Sequence, residues 1–156
     1  MTDSKVPPAA RLLGLSGLLP SIALLVVMIA FPAWRDLAAK GALGYGAVIA
    51  SFVGGAWWGL AAGRAETAQQ ARLLVLSVVP ALLAWPALLL PPAAGMLLLG
   101  WVFAALLPTD RRLQAAGVAP PWWVVLRRPL SGGMAVIHVA AAVVLLLSAA
   151  GAPSLN

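Results

Sequence analysis

The sequence predicts an all-α fold, a polytopic membrane bundle of five transmembrane helices forming one domain over residues 1–156, with a cytoplasmic N-terminus and a periplasmic C-terminus. Three observations lead there. Hydrophobic residues make up 63% of the 156 and charged residues 9%, where a soluble domain carries roughly 25% charged side chains. Such a chain cannot cover a water-facing surface, so lipid has to be the solvent for most of it. The apolar residues are gathered into long runs parted by short polar connections. Lysines and arginines sit at the ends of those runs and favour one side, which is how a membrane chain sets its orientation.

Residues 12–31 form the first expected span, 20 residues long, which is about 30 Å of α-helix and matches the hydrocarbon core. Pro20 predicts a kink near residues 19–21, tolerated in lipid because neighbours can satisfy the freed carbonyl. Lys5 and Arg11 also suit a signal peptide, but the apolar run exceeds a usual signal core, so a retained span is expected. Residues 32–40 read as a loop holding Trp34, Arg35, Asp36 and Lys40. The second span, residues 42–62, is rich in glycine. Gly55, Gly59 and Gly63, spaced by four, form a bare stripe that another helix can approach closely.

Residues 64–72 are a polar connection. The apolar stretch 73–107 is split by Pro91 and Pro92 into spans 73–90 and 93–107. The second of these has 15 residues, only about 22 Å of helix, so a re-entrant hairpin is the alternative to two spans. A connection with Asp110, Arg111, Arg112 and Gln114 follows. Within it, residues 118–128 read as an interfacial segment, because Trp122, Trp123, Arg127 and Arg128 suit the headgroup zone. Residues 130–150 are the last span. Counted over five spans, Lys5, Arg11, Arg64, Arg72, Arg111, Arg112, Arg127 and Arg128 share one side against Arg35 and Lys40 on the other. The larger group belongs in the cytoplasm. The hairpin alternative leaves that count unchanged.

Composition excludes several functions. The net charge of +6 is spread thinly along span ends, so nucleic acid is not an expected partner. The chain has no cysteine, which removes disulfides, thiolate nucleophiles and cysteine-ligated metals. Neither a phosphate-binding loop nor a His-Glu-x-x-His pattern occurs. Asp3, Asp36, Glu66 and Asp110 fall outside the expected spans, leaving Ser51 without a catalytic base. A non-enzyme is therefore expected, with no metal site and no assigned cofactor.

His138 is the one ionisable side chain deep in an expected span, which makes it a candidate proton-relay or haem-ligand site. The competing reading is a neutral imidazole bonded to a backbone carbonyl at a helix contact. Trp57 and Trp58 are candidate walls of a lipid or quinone pocket, or else interface anchors. Arg64, Arg72, Arg111, Arg112, Arg127 and Arg128 are candidate contacts for anionic lipid headgroups, and Asp110 is placed to pair locally with Arg111 or Arg112.

The segments LGLSGLLPSIAL, GYGAVIASFVGGAWWGLA, SVVPALLAWPALLL and PPWWVVLRRPL together resemble a small bacterial and mitochondrial membrane family that includes transmembrane protein 69 of animals. The resemblance covers nearly the whole chain and implies a helical architecture and an inner-membrane location. A Gly-Gly-x-His-Trp-Gly pattern in that family corresponds to Gly54-Gly55-Ala56-Trp57-Trp58-Gly59, so Trp57 stands where a histidine is expected. No catalytic residue carries over.

The leading functional expectation is a non-catalytic accessory or assembly protein of the bacterial inner membrane, packed through its glycine face against a larger, bioenergetic complex. The rival is a small oligomeric transporter or a lipid- or quinone-binding protein, since prolines at 20, 80 and 86 break helices as cavity-lining helices are often broken. Membrane lipids, a larger complex or further copies of the chain are the expected partners.

Overall fold

The computed structural model describes residues 5–64 and 67–151. The helices are α1 (Pro8–Ser16), α2 (Leu19–Ala30), α3 (Arg35–Arg64), α4 (Thr67–Ala87), α5 (Pro92–Ala115) and α6 (Trp123–Ala150), with a 3-10 turn at Pro32–Trp34. Taken together, α1 and α2 make one apolar stretch, giving five that are long and apolar enough to cross a bilayer. The chain is thus an all-α, multi-pass membrane bundle. Val48, Phe52, Leu82, Trp85, Trp101 and Leu147 all face outward, as apolar side chains do where lipid surrounds the protein.

Helices pack in chain order from α2 to α6, and α6 closes back on α2. Across this ring α3 also meets α5, while α1 lies against α6. Met28, Ala50, Val53, Met96, Leu99 and Phe103 form the centre of the core.

The first span breaks at Gly17 and Leu18, just before the expected kink. Pro20 has no N–H for the Ser16 carbonyl, so the last carbonyls of α1 need other donors. The Tyr45 hydroxyl of α3 supplies one, donating to the Gly17 carbonyl at 2.6 Å. At the far end of α2, Arg35 Nε donates to the Met28 carbonyl at 2.9 Å.

Several boundaries differ from the sequence reading. Instead of lying in a loop, Arg35, Asp36 and Lys40 form the first turns of α3. Asp36 stands in its first turn, where the helix dipole favours a negative charge. With 21 and 24 residues, α4 and α5 rise about 32 and 36 Å, so each can cross and the hairpin reading falls. Pro108 is interior to α5 and Pro129 to α6. Each removes one backbone hydrogen bond without ending its helix. Residues 118–128 are consequently not a separate interfacial segment: residues 118–122 are the α5–α6 turn, and residues 123–128 are the opening turns of α6.

That turn is built tightly. Gly117 has φ +71°, the left-handed conformation in which glycine carries no Cβ penalty. The Val118 N–H reaches the Leu113 carbonyl and the Gly117 N–H reaches the Gln114 carbonyl. These are the two bonds of a Schellman helix end, with Val118 and Leu113 buried beside each other as its apolar contact. Gln114 then joins both helices. Its Nε2 donates to the Pro121 carbonyl, and its Oε1 accepts from the Val124 N–H in the first turn of α6. Gly117→Ala should cost about 1–2 kcal/mol through its left-handed φ. Thermal unfolding in detergent measures this, and an unchanged melting temperature would contradict the turn geometry.

Candidate functional site: a buried carboxylate and an adjoining cavity

Four helical side chains converge near the ends of α3 and α5 and the start of α6. Asp110 follows Val102, Phe103 and Leu106 along the buried face of α5 and is itself 0% exposed. Its Oδ1 accepts two indole N–H bonds, from Trp57 of α3 at 2.8 Å and from Trp123 of α6 at 2.7 Å. Its Oδ2 accepts from Arg127 Nε at 2.9 Å, an ion pair in which Arg127 is 8% exposed. A carboxylate out of water is tolerable only when paired and hydrogen-bonded. Here three fixed donors from two other helices provide that, so the node cross-links α3, α5 and α6.

Arg127 is not used up by Asp110. Its Nη2 is buried and has no hydrogen-bond partner. One turn on, Ser131 lies on the same face of α6, as residues i and i+4 do, and its Oγ is also buried without a partner. Both residues line a cavity of about 110 Å³ between α1, α3, α5 and α6. The remaining side chains of the wall are apolar and include Leu18, Ile49, Val53, Phe103 and Met134. Leu13 and Phe52 belong to it too and are exposed on the outer surface, so the cavity's rim lies on the side of the bundle that lipid covers.

His138 continues the same α6 face. Its Nδ1 lies 2.8 Å from the Met134 carbonyl, to which it donates in the Nδ1-protonated tautomer. The Ala42 backbone of α3 is a further hydrogen-bonding neighbour of the ring, and Nε2 abuts Gly46, where a Cβ would collide with it. The ring packs 5.3 Å from Phe103. His138 therefore fills the α3–α6 crossing. Its nearest polar contact is a backbone carbonyl, and the buried carboxylate is bonded to other side chains.

The profile of a family described as a protein of unknown function (DUF3429) matches residues 6–143. The chain belongs to the DUF3429 family. It is 38% identical over 113 residues to the transmembrane protein 69 of Xenopus tropicalis, an alignment covering 66% of this chain and 45% of that protein. The chain thus spans less than half the length of that relative. No solved structure matches it.

In this DUF3429 protein the candidate residues separate. Trp57 and Trp58, adjacent in sequence, point apart, as neighbours on a helix must. Trp57 is buried as a donor to Asp110, while Trp58 is half exposed. Arg127 was expected at the headgroups and is instead an inward group, because Asp110 on the neighbouring helix holds it. Asp110 likewise pairs with Arg127, and neither Arg111 nor Arg112 is its partner. Arg72, Arg111, Arg112 and Arg128 are exposed. Arg64 ends α3, and its side chain lies outside the described residues.

Among the described residues no helix of this chain fills the glycine stripe. A Cβ at Gly55, Gly59 or Gly63 would meet nothing within 4 Å. Close helix approach occurs instead at Gly54 against the Ser77 carbonyl, Gly95 against the Ala87 carbonyl, and Gly46 against His138. Sequence reasoning missed Asp110 and Ser131 as site residues. For Asp110 a signal was available, since it continues the helical spacing of buried residues through Pro108.

Proposed function

We propose that this chain is a non-catalytic membrane protein that binds the head of a membrane-soluble amphiphile in the cavity beside Arg127. The observation that carries this reading is that Arg127 and Ser131, whose Nη2 and Oγ are buried without partners, are the two polar side chains among those lining a mostly apolar cavity. Buried donors are normally satisfied, and a ligand acceptor would satisfy both. At about 110 Å³ the cavity is smaller than the roughly 300–1,000 Å³ of a site enclosing a whole drug-sized ligand. It suits a head or chain end, with the rest of the molecule in the bilayer. The ionisable groups nearby are engaged structurally: Asp110 by three donors, His138 by a backbone carbonyl. That arrangement favours binding over acid–base chemistry.

The orientation belongs to the same proposal. With the basic side cytoplasmic, Asp110 and Arg127 lie in the cytoplasmic leaflet of a bacterial inner membrane, and the C-terminus is periplasmic.

The accessory reading has one supporting observation, the unfilled face of α3 at Gly55, Gly59 and Gly63, open to a helix of a larger complex. One purification tests both. Protein isolated in mild detergent is extracted with organic solvent and assayed by mass spectrometry, beside a Ser131→Leu variant whose added side chain fills the cavity. The amphiphile reading expects a small molecule enriched with the parent protein and depleted in Ser131→Leu. Identical extracts from both would sink it. Stoichiometric protein subunits in the eluate would instead favour the accessory role.

A further inference from the structure

The charge balance around the cavity says what kind of head it takes. Arg127 is already neutralised by Asp110 through a bond at 2.9 Å. The remaining polar groups of the node are two indoles, and Ser131 is an alcohol, so node and cavity together carry no net charge. A bound anion would leave one uncompensated negative charge in an apolar setting, which is heavily penalised. A bound cation would meet guanidinium N–H groups, which are donors only. A neutral acceptor meets neither obstacle. Nη2 of Arg127 can only donate, and the Ser131 hydroxyl can turn its hydrogen toward the same point. One turn of α6 separates the two residues, which puts both on one side of the helix.

We infer that the ligand presents a neutral carbonyl oxygen, as in a quinone ring or an acyl ester, to Arg127 Nη2 and Ser131 Oγ. This rests on the amphiphile-binding reading above and names its ligand class. Entry is from the bilayer, past Leu13 and Phe52, whose exposure puts the rim among lipid chains. Gly14 and Gly17, at the end of α1, also line the cavity, so the break before Pro20 forms part of its wall. The cationic groove formed by Lys5 and Arg11 with Val125, Leu126 and Pro129 is a separate feature. It lies on another side of α1 from the cavity.

The test uses the full chain in detergent and three probes with matched chains: a decyl-substituted benzoquinone, a monoacylglycerol and a fatty-acid carboxylate. Binding is measured by calorimetry for the parent protein, Ser131→Ala and the control Ser148→Ala, whose hydroxyl bonds the Val144 carbonyl elsewhere on α6. The expected result is saturable binding of one or both neutral carbonyl probes, weakened about three- to tenfold by Ser131→Ala, the loss of one hydrogen bond, and unchanged by Ser148→Ala. Which neutral probe binds separates quinone from ester. Ser131→Ala should leave the unliganded melting temperature unchanged or raised, because it removes an unsatisfied hydroxyl; a merely structural role would lower it.

Tighter binding of the carboxylate with the same Ser131 dependence would overturn the carbonyl assignment and keep the site. Binding of no probe, or binding indifferent to Ser131→Ala, would overturn the site itself and leave the cavity to ordered water.

Discussion

Asp110→Ala is expected to destabilise the protein by about 3–5 kcal/mol, the cost of stranding one member of a buried ion pair. The alanine leaves the Arg127 guanidinium without its counter-charge and both indole N–H groups, of Trp57 and Trp123, without an acceptor. Asp110→Asn should be less damaging, since its amide oxygen can still accept from the indoles while the charge is lost. Replacing the pair together, as Asp110→Leu with Arg127→Met, should recover much of the loss, because apolar substitution of a whole buried pair is often near neutral. Melting temperatures of the single and double variants form a double-mutant cycle. If the two single losses simply added, the side chains would not be coupled and the node would be wrong.

A second large effect is expected where α3 meets α4. Gly54→Val should cost about 1–3 kcal/mol or more, because a Cβ there runs into the Ser77 carbonyl. The obstacle is backbone and cannot rotate away. Gly55→Val, one residue on, meets nothing within 4 Å and should stay within about 0.5 kcal/mol of the parent, as ordinary surface changes do. The stripe at Gly55, Gly59 and Gly63 therefore contributes nothing to the monomer fold. Equal damage from the two valines, measured by thermal unfolding of monodisperse protein, would mean that α3 is rotated from its position here.

The membrane class and the number of spans were legible because they depend on composition and run length, quantities a sequence states directly. The ends of spans were harder. Pro108 and Pro129 read as boundaries, yet each sits inside a helix, because tertiary packing and lipid outweigh one missing N–H. Those two misreadings hid the site. Ending α5 at residue 107 put Asp110 in a loop, and starting α6 at residue 130 put Arg127 at the headgroups. Continued at helical spacing, Val102, Phe103 and Leu106 lead to Asp110, and Trp123 and Arg127 lead to Ser131 and His138. That the two faces meet is a tertiary fact with no local signal. The glycine stripe shows a related limit of local spacing within the monomer. Spacing by four marks a bare face, and only the packing decides which of several bare faces is filled, here that of Gly46 and Gly54.

Arg127 and Arg128 provide the most direct test of the central claim, that a buried Arg127 pairs with Asp110 and serves the cavity. They are neighbours, they carry the same charge, and a rule based on charge alone treats them alike. Arg127→Gln and Arg128→Gln are compared for melting temperature and for binding of whichever neutral carbonyl probe the parent protein binds. The account predicts that Arg127→Gln loses about 3 kcal/mol or more along with probe binding, while Arg128→Gln, exposed on the same helix, changes neither. Equal behaviour of the two variants would contradict it and return Arg127 to the headgroup zone.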